Sequence, residues 1–480
     1  MDLRRTALVL LAAAACGCSG GGSTEPSTTT ETLRVASSPT VPLHGPTSNW
    51  PIFGVTPDRR NDFRGHTGID ASNVTTLARR SIDVPGTVDS SPISVGGRFV
   101  VTTSYGKTVA LDRRGRILWT YTPPGIDAWE GSAQITNASP AADPDGEHVY
   151  AVSPDGVVHK LSLADGSETT RGGWPVAITR DPTHEKVGTA LNISGRLVLA
   201  TTGGYIGDAP PYQGHVVSID RASGDIVHVW NALCSDRHEL IEPSTCPESD
   251  AAIWARAGAV VEPGTGRILV ATGNAPYDGR TAWGDSVLRL SPDAGELVGS
   301  WTPPNQAELE TGDVDLGSTA PALVRGQDGR LYGVQGGKDG LMRLIDIERM
   351  RVVQTLPDPG STQMFTAPAV RGRNVYVATG GGTAAYRLTG SGTPKLLELW
   401  SNDSAGTSPV LAGELLYVYD PTGGGINVYR PSSPSPVTTL PAGAGHWQSP
   451  IAIDGCVLIG EGDANQDETA GRLDLYCVTP

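Results

Sequence analysis

The chain has 480 residues, a length that fits two or three ordinary domains or one large all-β domain. Its 36 basic and 51 acidic residues give a net charge of −15, and without a cluster of Lys and Arg it lacks the electrostatic footprint for nucleic acid, which we exclude as a partner. The 61 glycines and 37 prolines, which follow no collagen triplet, favour many short strands and turns over long helices.

Residues 1–18 have the pattern of an export signal. Arg4 and Arg5 form a positive region, and an apolar run over residues 7–15 follows it. That run is too short to cross a bilayer as a mature helix, for which about 20 residues are needed. We therefore predict a protein that leaves the cytoplasm.

Two cysteines at the end of this segment predict a lipid anchor. Small residues lead directly into Cys16 and Cys18, a pattern that resembles a bacterial lipoprotein cleavage site. One of the two would become the acylated N-terminus, and two or three acyl chains hold a protein stably on a membrane. Cleavage of an ordinary secretory signal nearby is the alternative. Residues 19–45, rich in Gly, Ser and Thr, predict a flexible tether to a domain facing the periplasm or the cell exterior.

A motif of a small residue, a proline and an apolar residue recurs through residues 46–480. Its last four copies are 47, 41 and 41 residues apart, which is the range of propeller blades and solenoid turns. A glycine turn and a strand of alternating apolar residues follow each copy. Proline costs no ladder hydrogen bond as the first residue of a strand. The copies are Ser91-Pro92, Ser139-Pro140, Ala320-Pro321, Ala367-Pro368, Ser408-Pro409 and Ser449-Pro450.

Two further modules, beginning at Gly188 and Ala257, keep the strand pattern without the proline and bring the total to eight. Repeated strand–turn–strand units without helical periodicity predict an all-β fold, an eight-bladed β-propeller of four-stranded antiparallel blades over residues 46–480. The segment Ala78–Val84 precedes the first module, and we expect it to supply the outer strand of the last blade and so close the ring. A solenoid, which needs no closing strand, is the alternative.

Several modules end with a polar turn, a glycine and a tryptophan. A tryptophan at a repeated outer position can wedge between adjacent blades and give its N–H a backbone partner. We therefore interpret these residues as structural. They are Trp119, Trp230, Trp301 and Trp400.

Four cysteines follow the predicted signal, and an even number in an oxidising compartment indicates disulfides. Of the three possible pairings we predict the local one. Cys456 and Cys477 lie on two apolar runs joined by a polar turn, so they can face each other across a hairpin. Cys234 and Cys246 would close a loop rich in Ser, Glu and Pro. Metal binding is the alternative, but no CxxC or His-x-His spacing supports it.

The blade endings and several longer segments resemble the quinoprotein dehydrogenase family, whose propellers hold pyrroloquinoline quinone in the central channel. The resemblance covers about residues 50–480 and is most specific over residues 185–346. This region includes PYQGHVVSID, IWARAGAVVEPGTGRILVATGN, WGDSVLRLSP, DVDLGSTAP and GGKDG, and it is similar to a bacterial lipoprotein subgroup. The resemblance implies the eight-bladed fold, with pyrroloquinoline quinone and calcium as cofactors.

The same resemblance implies roles for three residues. Asp315 in DVDLG matches the catalytic aspartate, a base for the substrate hydroxyl proton that also lies beside the metal. Asn274 in ATGN matches a calcium ligand, and oxygen ligands suit that hard cation. Lys338 in GGKDG matches the cation that hydrogen-bonds the quinone oxygens and can stabilise the charge of the reduced quinone.

Other family positions match less closely. Asp208 is only approximately placed as the carboxylate that the dehydrogenases supply to calcium. The vicinal Cys-Cys disulfide that covers one face of the quinone is absent. The tryptophan that covers the other face has no aligned counterpart: Arg256 stands at about that position, with Trp254 two residues earlier. The chain has no CxxCH motif and therefore no covalent haem.

Each of these residues also has a structural interpretation. Asp313 and Asp315 could cap a turn or line a solvated rim, and Asn274 follows a glycine, as it would in a left-handed hairpin turn. Lys338 lies in a sequence that suits an exposed turn. The acidic segment 463–468 vaguely resembles a calcium loop, but it lacks the glycine at the sixth position, and we expect a polar hairpin tip.

Two functions therefore remain open. The first is a dehydrogenase of alcohols or sugars that depends on pyrroloquinoline quinone and calcium. The second is a non-catalytic scaffold that presents blade loops to a protein partner, like the propeller lipoprotein of outer-membrane protein assembly. The observation that separates them is whether Asn274, Asp315 and Lys338 converge at one mouth of the channel.

Overall fold

The computed structural model of the protein describes residues 48–479. Within this range the chain forms eight β-sheets, seven with four strands and one with five. Each sheet is one blade, and its strands follow one another in sequence except where the N-terminal segment contributes. The prediction of an all-β, eight-bladed propeller is confirmed. Residues 1–18 and 19–45, with the proposed acylation sites Cys16 and Cys18, lie outside the described residues.

The strands are short because glycine turns interrupt them at regular intervals. In chain order they are β1 (Asp62–Phe63), β2 (Ala78–Val84), β3 (Ile93–Val95), β4 (Arg98–Thr102), β5 (Thr108–Asp112), β6 (Ile117–Tyr121), β7 (Ala141–Ala142), β8 (His148–Val152), β9 (Val157–Ser162), β10 (Val176–Ala177), β11 (Asn192–Ser194), β12 (Leu197–Thr201), β13 (His215–Asp220), β14 (Ile226–Asn231), β15 (Val260–Val261), β16 (Ile268–Ala271), β17 (Val287–Leu290), β18 (Leu297–Trp301), β19 (Ala322–Arg325), β20 (Leu331–Gln335), β21 (Leu341–Asp346), β22 (Arg351–Pro357), β23 (Ala369–Arg371), β24 (Asn374–Thr379), β25 (Gly382–Thr389), β26 (Lys395–Asn402), β27 (Val410–Ala412), β28 (Leu415–Asp420), β29 (Gly425–Tyr429), β30 (Pro436–Leu440), β31 (Ile451–Ile453), β32 (Cys456–Glu461) and β33 (Gly471–Cys477).

Helical structure is confined to short connections in the described part of the chain. These are one α-helix, α1 (Gln306–Thr311), and 3-10 turns at Val74–Thr76, Ile126–Ala128, Pro243–Thr245, Leu316–Ser318, Pro359–Ser361 and Ala464–Gln466. Over residues 48–479 none of these helices has the length and apolar character to cross a membrane.

Strand β2 closes the ring. It pairs antiparallel with β33 along its whole length, from Ala78 opposite Cys477 to Val84 opposite Gly471, and so becomes the outer strand of blade eight. The closing role predicted for Ala78–Val84 is confirmed, and the solenoid alternative is wrong.

The small-residue–proline motif holds the blades together near the axis. The Ser139 hydroxyl accepts a hydrogen bond from the Ser91 N–H of the preceding blade at 2.9 Å. The Ser408 hydroxyl accepts one from Ala367 N–H, and across the ring closure the Ser91 hydroxyl accepts one from Ser449 N–H, both at 2.9 Å. A small polar residue before the proline therefore links neighbouring inner strands.

The chain before β2 crosses the inner strands at one end of the channel. Its backbone bonds to blade one through Trp50 and Ser94, and to blade two through Pro51 O and Ala142 N. Further along, Asn61 O accepts a hydrogen bond from Leu411 N in blade seven. Strand β1 then adds to β27 in parallel, which gives blade seven a fifth strand beyond the predicted four.

The predicted structural tryptophans lie where blades meet. Trp119 Nε1 of blade one donates to Leu163 O of blade two, and Trp400 Nε1 of blade six donates to Pro431 O of blade seven, each at 3.0 Å. Trp230 is buried in the core between blades three and four. Trp301 is half-buried with the Arg343 guanidinium over its ring.

Both predicted disulfides are present. Cys234 pairs with Cys246, and Cys456 pairs with Cys477. The second pair joins directly opposite positions of β32 and β33 in blade eight. The segment 463–468 is the loop between these strands, where Asp463 caps a 3-10 turn through Asn465 N–H, as expected of a polar hairpin tip.

Arg59 ties the N-terminal segment to the ring. Its side chain is 2% exposed and donates to the carbonyls of Ala257, Phe53, Ala190 and Leu191 at 2.6–3.0 Å. Burial lowers the pKa of this guanidinium to about 9.

We expect Arg59→Met to lower the free energy of unfolding by about 2–3 kcal/mol, because buried carbonyls lose a charged donor. Arg60→Met is the matched control, since the Arg60 side chain is 41% exposed and its ion pair within residues 48–479 is with Asp58. It should cost less than about 1 kcal/mol. Urea unfolding followed by tryptophan fluorescence measures both, and equal midpoints for the two variants would contradict this role.

Candidate functional site

A cavity of about 400 Å³ opens at the channel mouth away from the N-terminal segment. Two kinds of loop line it. One kind joins the last strand of a blade to the first strand of the next, and the other joins the second and third strands of a blade. Both kinds end on the same side of each sheet, so residues far apart in sequence meet here.

Asp315 lies in the loop between β18 and β19 and is 5% exposed. Its Oδ1 accepts a hydrogen bond from the Asn274 N–H at 2.7 Å, and its Oδ2 lies 2.6 Å from Lys338 Nζ. The side chain makes no capping bond to the 3-10 turn that follows it. Asp315 therefore links the loops of blades four and five, and it does not decorate a turn.

The three central residues converge at this one mouth. Asn274 does not have the positive φ of a left-handed turn, and its side chain lines the cavity. Lys338 lies across Asp315, and its Nζ also reaches Asp313 Oδ1 at 3.0 Å. Burial opposes the charge of Lys338, but Asp315 and Asp313 outweigh it and raise the pKa of the lysine. Asp313 itself is mostly exposed at the rim.

Carboxylates outnumber cations around Asp315. Asp208 lies at the exposed rim, where the surrounding protein and then the charge of Asp315 raise its pKa, although Tyr212 donates to its Oδ1 at 2.9 Å. Asp285 lies behind Asp315 and is fully buried, and burial raises its pKa to about 7. Its Oδ2 has no hydrogen-bond partner among the described residues. The carboxylates on this side of the cavity therefore outnumber the one ammonium, Lys338, that pairs with Asp315.

Aromatic rings form a second part of the wall. Lys338 Nζ lies 5.6 Å from the Trp254 ring centroid, and the Phe365 ring lies 5.9 Å from Trp254. Trp447 continues the wall, with its centroid 4.7 Å from Phe365. Trp254 thus lies where a flat ligand would find an aromatic face.

A buried polar network forms the opposite wall. The Arg256 guanidinium pairs with the Asp89 carboxylate and donates to Asn137 O at 2.7 Å. Asp89 also holds His446 Nδ1 at 2.8 Å, which leaves the other ring nitrogen free of that bond. Despite burial, the charge of Arg256 lowers the pKa of Asp89. Arg256, at about the position of the family's tryptophan, therefore joins this polar network, whereas Trp254, two residues earlier, belongs to the aromatic wall.

Two observations test whether the cavity fits the calcium ion and the pyrroloquinoline quinone that the family resemblance implies. The carboxylates of Asp315, Asp208 and Asp313 line the cavity together with Asn274, and these oxygen donors match what a hard cation prefers. The cations Lys338 and Arg256, with the aromatic wall, suit a flat polyanion such as a quinone that carries carboxylates. The residues present fit both groups.

Several cavity residues were missed from the sequence, although a signal for them exists. Asp89, Asn137, Phe365 and Trp447 each stand three positions before the proline of the repeated motif. That position lies four residues before the first residue of the inner strand, in the loop that enters it at the mouth of the channel. Lys186 and His446 have no comparable signal.

A family model described as "Outer membrane protein assembly factor BamB" matches residues 72–245. No curated protein sequence matches the chain. Among solved structures, the chain is similar to quinohemoprotein alcohol dehydrogenase from Comamonas testosteroni, with 16% identity, a TM-score of 0.67, and coverage of 90% of this chain and 80% of the other.

Two further solved structures are also similar to the chain. A europium-containing methanol dehydrogenase has 15% identity and a TM-score of 0.69, with coverage of 91% of this chain and 99% of the other. BamB from Moraxella catarrhalis has 14% identity and a TM-score of 0.53, with coverage of 83% and 98%. At these identities the likeness establishes the fold, a quinoprotein-dehydrogenase-like propeller, and not the activity.

Proposed function

On this quinoprotein-dehydrogenase-like propeller, we propose that the channel-mouth cavity binds pyrroloquinoline quinone and a hard cation, calcium in the first instance, and oxidises an alcohol or a sugar. The observation that carries the proposal is the convergence of Asp315, Asn274 and Lys338 at one mouth, with Asp315 bridging the other two. Three residues from three loops meet where a metal, a base and a quinone would need them.

The protein residues take distinct tasks in this proposal. Asn274, Asp208 and Asp315 offer oxygen ligands to the cation, and Trp254 offers an aromatic face. Asp315 Oδ2, which lies 2.6 Å from Lys338 Nζ, accepts the proton of the substrate hydroxyl. Lys338 Nζ donates hydrogen bonds to the ligand oxygens that gain negative charge. The quinone, when bound, supplies the acceptor for hydride.

We further propose that the protein works outside the cytoplasm, anchored by an acyl chain on Cys16 or Cys18. The two disulfides support this, because disulfides persist in oxidising compartments. The fold similarity to BamB and to the dehydrogenases is compatible with that location.

Reconstitution tests the function. The purified protein is mixed with pyrroloquinoline quinone and either Ca²⁺ or Eu³⁺, the latter because a similar structure contains europium. Reduction of an artificial dye is then followed with a panel of alcohols and sugars. We expect turnover that needs both quinone and cation. An unchanged quinone absorbance spectrum on mixing would end the cofactor proposal.

A scaffold is the second candidate, and two observations favour it. The Lys338 ammonium pairs with the Asp315 carboxylate, so this carboxylate needs no metal cation to balance its charge. The family model for the assembly factor matches residues 72–245. Within that range Ile117 and Leu118 on the outer strand of blade one are 44% and 46% exposed. A scaffold predicts a stoichiometric protein partner whose binding is lost in Leu118→Asp and retained in Asp315→Asn. The enzyme predicts turnover that is lost in Asp315→Asn and retained in Leu118→Asp.

A further inference from the structure

Lys186 faces the cavity without a partner for its charge. Its backbone is held by paired hydrogen bonds with Gly203, at 2.7 and 2.9 Å, so its position is fixed. Its side chain lines the cavity, yet its amine makes no hydrogen bond or ion pair with any described residue. Lys338 and Lys107 differ, because each pairs with a carboxylate. An amine held in a cavity and left unpaired is available to a ligand.

Two neighbouring polar atoms are also unpartnered and buried. Asn137 is 8% exposed and its Oδ1 accepts no hydrogen bond, while Arg256 is 7% exposed and its Nε donates none, among the described residues. Both residues line the cavity with Lys186. A Cβ placed on Gly188 would lie 2.8 Å from Asn137 Oδ1 and 3.4 Å from Lys186 Cε, so amide and amine border one small space.

The charges around Lys186 set its protonation. Burial is the largest effect and lowers the pKa of the amine to about 8, with the positive charge of Arg256 acting in the same direction. The carboxylates of Asp89 and Asp463 oppose the shift. His446, held by Asp89, is the remaining titratable group on this wall. A sizeable fraction of the amine is therefore neutral and nucleophilic near neutral pH.

We propose that Lys186 forms an imine with the carbonyl group of a small 2-oxo acid or aldehyde acid bound in this cavity. The neutral amine attacks the carbonyl carbon, and the C–N bond forms as the carbonyl oxygen takes a proton to give a carbinolamine. Loss of that oxygen as water leaves the imine, so amine and carbonyl are balanced by imine and water, with no redox change.

The unpartnered atoms select the ligand class. Arg256 Nε is a donor that a carboxylate would satisfy, and Asn137 Oδ1 is an acceptor for the carbinolamine hydroxyl. Their position beside Lys186 favours a carboxylate adjacent to the reactive carbonyl. Imine formation requires neither the quinone nor a metal cation, so this proposal is tested independently of the proposed dehydrogenase activity.

Reductive trapping tests the proposal on the purified protein without added quinone or metal. The protein is treated with glyoxylate and sodium cyanoborohydride at pH 7, and modified lysines are located by peptide mass spectrometry. The unmodified protein provides the test by itself, so no variant needs to fold. We expect Lys186 to be modified at least about tenfold faster than exposed Lys395, because a lower pKa leaves more neutral amine.

Internal controls sharpen the result. Lys338 lines the same cavity but is paired with Asp315, and it should react no faster than Lys395. The Lys186 rate should rise with pH and level off above about pH 8, where most of this amine is neutral. Gly188→Ala, which narrows the space between Asn137 and Lys186, should slow the trapping of Lys186 alone. Modification of Lys186 at the rate of Lys395 would overturn the proposal.

Discussion

Replacing Asp315 with asparagine should abolish turnover by the reconstituted protein, with a loss of about 10²–10⁴-fold, the contribution of a positioned base. The amide keeps the shape of the carboxylate and can still accept the Asn274 N–H bond at Oδ1. It cannot accept a substrate proton or balance Lys338. The loss should therefore appear in kcat, with the fold retained because Asp313 still pairs with Lys338.

The neighbouring aspartate provides the matched control. Asp313 also contacts Lys338, but its side chain is 62% exposed, so Asp313→Asn should reduce turnover only a few-fold. Dye reduction at saturating quinone and cation measures both variants. Equal losses in the two variants, or unchanged turnover in Asp315→Asn, would refute the role of Asp315.

Replacing Glu185 with alanine should lower the free energy of unfolding by about 3–5 kcal/mol, the cost of removing one partner from a buried ion pair. Glu185 and His215 are both fully buried, and Glu185 Oε1 lies 2.9 Å from His215 Nε2. Asn231 Oδ1 contacts the other ring nitrogen at 2.5 Å. Glu185 lies in the loop that carries Lys186, and His215 is the first residue of β13 in blade three.

The pair also makes stability depend on pH. Burial opposes the charge of His215, but Glu185 outweighs it, so the pKa of His215 lies above its usual value. The stabilisation that the Glu185–His215 pair provides is therefore complete below about pH 6.5, the ordinary pKa of histidine. It is lost as the pH rises through the higher pKa that His215 has in the folded protein. The difference between wild type and Glu185→Ala should be largest near pH 6 and should shrink in alkaline buffer.

An exposed pair serves as the control for that measurement. His148 and Asp145 lie 3.0 Å apart on the surface, and Asp145→Ala should cost less than about 1 kcal/mol. Urea unfolding at a series of pH values compares the two variants. A difference for Glu185→Ala that grows with rising pH would contradict the assigned direction of the His215 shift.

The fold was predictable because one local pattern repeats. The small-residue–proline motif marks the start of the inner strand in six of the eight blades, and the serine hydroxyls of Ser91, Ser139 and Ser408 link adjacent blades. The closing strand was predictable too, since Ala78–Val84 stood outside any module. The fifth strand of blade seven was not, because β1 has two residues and bonds only through tertiary contact.

The site was only partly predictable for a physical reason. Asp315, Asn274 and Lys338 follow recognisable segments, and the structure brings them together. Lys186 and His446 occupy positions that no repeated pattern marks, and their environment depends on which loops lie opposite across the axis. The network from Arg256 to Asp89 spans 167 positions in the chain, a separation that no local pattern encodes.

The most direct test of the account is the anomalous scattering of europium in crystals grown with pyrroloquinoline quinone and Eu³⁺. The account predicts one strong peak at the channel mouth, within ligand distance of the Asp315 carboxylate and the Asn274 side chain, with quinone density against Trp254. A cavity without a peak under saturating quinone and metal, or europium bound only at surface carboxylates such as Asp145 and Glu147, would contradict it.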